Sequence, residues 1–252
     1  MERVFGDFTI YWVNLDVSTE RRNNMEKNMT NLNHTRISAI NGLNNEFKTK
    51  YKVLSNPDFS SGLNAAACSH IKAIKMAHDK NLPYVIIMED KCHFDYIEYF
   101  EFSIQDIINM VEKQDPKWDI IQLSSVPLYN LADAKKNGFQ IRKRNGNYSG
   151  LNYLINYNGM KKILNLIPTD GETNFDFSAV KHFPDPECMI YSSINSYILN
   201  IPILYVFAEK STFQFYYTNK RCRKKSVPLK VIKAKQALQH FYADKITNTI
   251  NK

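Results

Sequence analysis

Pro83-Tyr84-Val85-Ile86-Ile87-Met88-Glu89-Asp90-Lys91 is the stretch whose reading decides the fold. A continuous apolar run cut off by three charges suits a central strand buried on both faces, with the charges at its carboxyl end. Trp118 to Leu123 (WDIIQL) repeats the apolar pattern, and Thr9 to Asn14 (TIYWVN) is a shorter β-rich run that leads into Leu15-Asp16. Helical segments separate these runs. A polar helix is expected from about Ser18, a suitable N-cap, with Glu20 in the first turn where a carboxylate suits the helix dipole. Leu63, Ala67, His70, Ile74 and Ala77 recur at helical spacing and form one apolar stripe. Tyr99 to Glu112 reads as a further helix.

His34 to Ile40 reads as a strand closed by the turn signal Asn41-Gly42. Gly150 to Ile155 is another strand, followed by a short helix over Gly159 to Leu166. Pro186 to Leu199 reads as helical, and Pro202 to Ala208 as a last strand. Beyond the basic run Lys220-Arg221-Cys222-Arg223-Lys224-Lys225, residues from Pro228 to about Thr247 read as an amphipathic helix. Strands alternating with helices imply an α/β fold: a mostly parallel sheet with helices on both faces. Neither a repeat nor a low-complexity linker interrupts residues 1–252, so a single domain is expected, with 220–225 as a basic connector. In open sheets of this kind ligands bind beyond the carboxyl ends of the strands. Asn14-Leu15-Asp16 and Glu89-Asp90-Lys91 both stand there.

The composition excludes some classes. With 44% hydrophobic residues in 252, the chain can bury a large core and is not wholly disordered. Its four cysteines (Cys68, Cys92, Cys188, Cys222) lie far apart, which fits reduced thiols better than a disulfide framework or a zinc site. The opening MERVFGDFTIYWVNLD carries early charges and no long apolar core, so no signal peptide is expected. No run approaches the ~18 apolar residues of a membrane span. A cytoplasmic location follows as the expectation, and sequons at Asn28, Asn33 and Asn147 read as chance matches. The Asn-, Lys- and Ile-rich usage fits an AT-rich genome such as that of a parasite or a large virus, in the latter case acting in host cytoplasm. A net charge of +8 favours an anionic partner: a nucleotide diphosphate, nucleic acid or membrane headgroups. GxSxG, HExxH, GxxxxGK[ST] and GxGxxG are all missing, and no nucleic-acid motif is present.

Five segments in order resemble glycosyltransferase family 25, the lipooligosaccharide and procollagen-type β-galactosyltransferases. Val13-Asn14-Leu15-Asp16 with Thr19-Glu20-Arg21-Arg22 is similar to the family's "NLDR…ERR" start. Ala39-Ile40-Asn41-Gly42 is similar to "A-V-D-G", with Asn41 in place of the acid. Cys68-Ser69-His70 resembles a shortened "C-x-x-S-H", and Tyr84 to Asp90 resembles "alilEDD", with Lys91 in place of the last acid. Tyr153-Leu154-Ile155…Gly159-Met160-Lys161-Lys162 is similar to "aYliskeGAkkll".

The resemblance implies a GT-A-like, Rossmann-related fold and transfer of a hexose from a UDP-sugar to a glycan or protein hydroxyl with inversion. Asn14, Asp16, Arg21, Asn41, His70, Glu89 and Lys91 are then expected at the donor. Departing UDP gathers negative charge, so a cation must stand beside its phosphates. Family members hold manganese there with carboxylates, whose hard oxygens suit that ion. With Lys91 replacing one acid, two readings stay open. Either Asp90 still binds Mn2+, helped by His93 or Asp95, or Lys91 itself neutralises the phosphate. Inversion also needs a base for the acceptor hydroxyl. Asp170-Gly171-Glu172 and Asp185-Pro186-Glu187 supply candidates, of which Asp185 and Glu187 are preferred. His70, on an apolar stripe, reads equally as a hydrogen-bonded core histidine. Two other functional classes compete with the enzyme: a catalytically degenerate relative that binds nucleotide or glycan without turnover, and a nucleic-acid binder acting through positive charge alone.

Overall fold

A computed structural model of the chain describes residues 1–42, 47–50, 52–54, 61–124, 134–145, 152–180, 186–206 and 241–243. The basic run 220–225 and all but 241–243 of the expected C-terminal helix lie outside the described residues, as does Asp185.

In chain order the main elements are β1 (Ile10–Asn14), α2 (Thr19–Asn28), β2 (His34–Ser38), β3 (Lys52–Leu54), α4 (Ser61–Asp79), β4 (Tyr84–Glu89), β5 (Cys92–His93) and α5 (Ile104–Gln114). Two short helices, α1 (Glu2–Phe5) and α3 (Phe47–Lys50), precede β1 and β3. They are followed by β6 (Ile120–Gln122), β7 (Ile141–Lys143), β8 (Tyr153–Asn156), α6 (Tyr157–Leu166), β9 (Asn174–Asp176), α7 (Pro186–Ser192), β10 (Ser196–Leu199) and β11 (Tyr205–Val206). Seven strands form one sheet in the order β2-β1-β4-β8-β6-β10-β7. Parallel pairing joins β1 to β2 and β4, and β6 to β10. Antiparallel pairing wedges β8 between β4 and β6 and sets β7 on the edge. Five of the seven strands therefore run one way, the mostly parallel sheet expected.

Alternation along each strand explains why the sheet is buried on both faces. Tyr11, Val13, Val85, Ile87, Ile120, Tyr153 and Ile155 enter one core, against Cys68, Ile71 and Ile74 of α4 and Met160 and Ile163 of α6. Their neighbours Ile10, Trp12, Ile86, Met88, Ile121 and Leu154 enter the other, with Met25 and Met29 and the stripe Ile104, Ile107, Ile108 and Val111 of α5. Side chains pointing alternately to opposite faces give each strand two apolar surfaces to cover, and the helices cover both. Among the described residues no helix is long and apolar enough to cross a membrane.

Several boundaries differ from those expected. Pro186 to Leu199 is not one helix: α7 stops at Ser192, and Ser196 to Leu199 lie fully buried as β10, parallel to β6. A short apolar run is locally ambiguous, and here the vacant edge of β6 decides it. Helix α5 starts at Ile104 because Ser103 caps it reciprocally with Asp106. Within the described part of the expected last strand, Leu204 forms a bridge and Tyr205–Val206 pairs with β5; residues 207–208 lie outside the described residues.

The order of connection marks the end of the sheet at which open α/β sheets bind ligands. From β1 the chain goes to β2 on one side and later to β4 on the other, which makes the β1–β4 seam a topological switch point. Register brings Val13 opposite Glu89 and Asn14 opposite Ser38, so three strand ends meet.

Gly159 marks the closest approach of helix to sheet. A Cβ there would lie 2.6 Å from the Asp119 carbonyl oxygen and 2.9 Å from Cγ1 of Ile155. Gly159→Ala should lower stability by about 1–3 kcal/mol through overpacking, although alanine favours a helix by about 1 kcal/mol elsewhere. A urea midpoint equal to or above that of the native protein would contradict this close contact.

Candidate functional site

Asn14 is the centre of the polar cluster at the strand ends. Its buried amide Nδ2 donates to a carboxylate oxygen of Asp90 at 2.6 Å and to the Ser18 carbonyl at 3.2 Å. Its Oδ1 accepts from Arg36 Nε at 2.9 Å. One side chain thus joins β1, β2, the turn into α2 and the residue that follows β4. Backbone bonds reinforce the junction, with Asp90 N–H donating to Val13 O at 3.1 Å and Ala39 N–H to Asn14 O at 2.9 Å.

Around this centre the cations are paired. Arg21 reaches Asp90 Oδ1 at 3.2 Å and donates to Ser18 Oγ at 2.7 Å. Arg36 also binds the Asp16 carboxylate, which accepts from Ser38 Oγ at 2.8 Å. The hydrogen bonds from Arg36 and then Ser38 hold the Asp16 carboxyl below its ordinary range. Asp90 moves the other way. Burial raises its pKa, and the Asn14 bond and the Arg21 charge only partly oppose that.

The far side of β4 carries a second polar group. Lys91 Nζ lies 3.0 Å from Glu89 Oε2. Burial would depress the Lys91 ammonium, but Glu89 outweighs it and the net shift is upward. Asn152 pins the strand end: its Oδ1 accepts from Glu89 N–H at 2.9 Å and from Cys92 Sγ at 2.7 Å, and its Nδ2 donates to Ser124 Oγ at 3.1 Å. Ser69 ties α4 to the segment before Asn41, accepting from Ile40 N–H at 2.9 Å and donating to Ala65 O at 2.6 Å.

Of the residues expected at the donor, Asn14, Asp16 and Arg21 come together with Asp90, and Glu89 and Lys91 form the adjoining pair. Asn41 follows the segment that Ser69 anchors. His70 is buried on α4, with Nδ1 at 3.2 Å from the Tyr153 hydroxyl. His93 stacks on Tyr205 at 5.3 Å, and the Tyr205 hydroxyl donates to Asp95. Glu187 falls within α7, its side chain outside the described residues. Among the described residues no group of three or more His, Cys, Asp or Glu could hold a metal ion. Among the described residues Asp90 is engaged by Asn14 and Arg21, and Glu89 by Lys91, so a divalent ion would have to displace the chain's own partners to use either carboxylate. Arg36, Ser38, Asn152 and Ser124 were not anticipated. Arg36 and Ser38 occupy alternate positions of the strand expected over His34 to Ile40, but their partners lie elsewhere in the chain.

The profile of glycosyltransferase family 25 (LPS biosynthesis protein) matches residues 8–178. The chain belongs to glycosyltransferase family 25. That match runs from β1 through β9 and includes every residue of the Asn14–Asp90 cluster. The crystal structure of mouse xyloside xylosyltransferase 1, apo form, is similar at 14% identity and a TM-score of 0.29. The alignment covers 61% of this chain and 55% of that one. None of the curated proteins matches. Family membership supports glycosyl transfer as the general chemistry of this family 25 chain.

His70 offers a test of burial in the core beneath α4. Burial lowers its imidazole to about 4 from 6.5; Glu89 works upward against this and Lys91 downward. Tyr153 is its hydrogen-bond partner. Because the folded value lies below the unfolded one, the unfolded chain takes the proton first as pH falls. The contribution is intact above pH 6.5 and fades toward pH 4, by up to about 3 kcal/mol. His70→Gln, which keeps a polar partner for Tyr153, should flatten the acid limb of stability between those values by about one proton. Urea midpoints across that range that fall equally steeply in both proteins would show His70 to be solvated.

Proposed function

We propose that this chain transfers a hexose from a UDP-sugar to a hydroxyl of a glycan or protein, with inversion at the anomeric carbon. The observation that carries the reading is the junction of strand ends at the β1–β4 switch point, where Asn14, Asp16 and Arg36 meet Arg21 and Asp90. Nucleotides bind at such points because the loops part there and the backbone leaves an open crevice. Asn14, Asp16 and Arg36 supply the amide, carboxylate and guanidinium groups that a uridine and ribose can hydrogen-bond. Arg21 and Lys91 place positive charge where the leaving diphosphate gathers negative charge, which lowers the barrier to C–O cleavage. Asp185 and Glu187 are the proposed bases that take the acceptor's proton as its oxygen attacks.

A second reading is favoured by the Glu89–Lys91 pair: the same nucleotide is held without turnover, because one carboxylate of the site is already occupied. The two readings share donor binding and differ in product.

Uridine nucleotides should raise the melting temperature by several degrees. A ligand at 100 times its dissociation constant stabilises by about 2.7 kcal/mol, and a domain of this size gains about 2–4 °C per kcal/mol. No shift with any uridine nucleotide at millimolar level, with or without Mn2+, overturns the donor assignment. Released UDP then separates the readings. With turnover, whichever of Asp185→Asn and Glu187→Gln removes the base should slow it about 10²–10⁴-fold while nucleotide binding persists. Binding with no UDP released from any sugar donor selects the second reading.

A further inference from the structure

The strand end that would face a donor's phosphates is charge-balanced from within the chain. Asp90 carries Arg21 at 3.2 Å and the Asn14 amide at 2.6 Å, and Glu89 carries Lys91 at 3.0 Å. Two carboxylates thus face two cations supplied by β4's own extension and by α2. A divalent ion entering here would meet Lys91 and Arg21 within a few ångströms. At an effective dielectric near 20, a unit charge 4 Å away acts with about the strength that changes an equilibrium a hundredfold or more.

We propose that Lys91 and Arg21 are the built-in counter-cations of the donor diphosphate, so that this chain binds its nucleotide without a divalent ion. The inference rests on the site being the uridine diphosphate site proposed above. A carboxylate that holds a divalent ion carries a net charge of plus one, which is also the charge of the Lys91 ammonium. A lysine at position 91 therefore supplies, without an ion, the charge that an acid at 91 would supply only with one. Both cations keep donors to offer. A guanidinium has five N–H groups, and Arg21 directs its Nη1 to Asp90 and its Nη2 to Ser18; an ammonium has three, and Lys91 faces Glu89 as its carboxylate partner. Glu89 and Asp90 then act as positioning residues: they hold the two cations at the strand end and keep the empty site close to neutral. Burial makes that neutrality matter, since an unpaired charge at this depth is costly.

The test measures UDP affinity by calorimetry in EDTA and in Mn2+, for the native chain and for Lys91→Asp. In parallel, Mn2+ binding without nucleotide is titrated by electron paramagnetic resonance. The native chain should bind UDP equally, within about twofold, in EDTA and in Mn2+. Lys91→Asp should lose at least about tenfold in EDTA and recover with Mn2+, and should bind Mn2+ itself at least about tenfold more tightly than the native chain. Native UDP binding that disappears in EDTA and returns with Mn2+ overturns the inference. So does native Mn2+ binding as tight as that of Lys91→Asp. UDP bound by neither protein in either buffer overturns the donor reading itself, and the nucleotide-free Mn2+ titration still decides the charge argument. Should Lys91→Asp fail to fold, the EDTA and Mn2+ arms on the native chain alone decide it.

Discussion

The hydrogen bond from Asn14 to Asp90, 2.6 Å long and buried, is the contact on which the geometry of the site depends. A carboxylate this far from water needs donors, because leaving it unsatisfied costs several times what a typical hydrogen bond contributes. Asn14 meets that need and in doing so spends its remaining polar atoms on Arg36 and the Ser18 carbonyl. The ends of β1, β2 and β4 and the first turn of α2 are thereby locked to one another. Asp90 in turn fixes Arg21, and Arg36 fixes Asp16. Remove the central amide and four side chains lose their common reference.

That junction can be so well ordered because the sheet beneath it is rigid. All five residues of β1 are buried, and alternate residues of β1, β4, β6 and β8 enter two separate cores. A strand clamped between two close-packed layers has little freedom to slide, and a one-residue slip would invert both faces at once. Rigid strands below and polar ends above give a site whose charges stand where folding puts them, before any ligand arrives. Preorganised charge of that kind stabilises a leaving group without reorganisation at the moment of reaction.

The strands that build the site were legible because their signals are local. The apolar run ending in Glu89-Asp90-Lys91 and the TIYWVN run announced both a strand and its charged end, and the Leu63–Ala77 stripe announced α4. Arg36 and Asn152 were hidden, since each has its partner on a distant part of the chain: Arg36 lies 22 residues from Asn14, and Asn152 lies 63 from Glu89. Only the fold brings them together. Strand β10 was misread as helix for a related reason, as its state is set by β6 rather than by its own residues. His70 showed its helical stripe in the sequence but not its depth, and burial decides that it is a neutral core imidazole bonded to Tyr153. The expected bases Asp185 and Glu187 gained no geometric support, because the side chain of neither is among the described residues.

Lys91 fits the rest of the site: Asp16, Glu89 and Asp90 each have a cation or amide of the chain's own beside them. Whether Asn14 and Asp90 act as one unit in holding a nucleotide is measured most directly by a double-mutant cycle on UDP affinity, using Asn14→Ala, Asp90→Asn and both together. If the pair organises the site, each single change should weaken binding about tenfold or more, and the double change should cost little more than the worse single. Effects that add in full, or single variants that bind UDP as the native chain does, would contradict it.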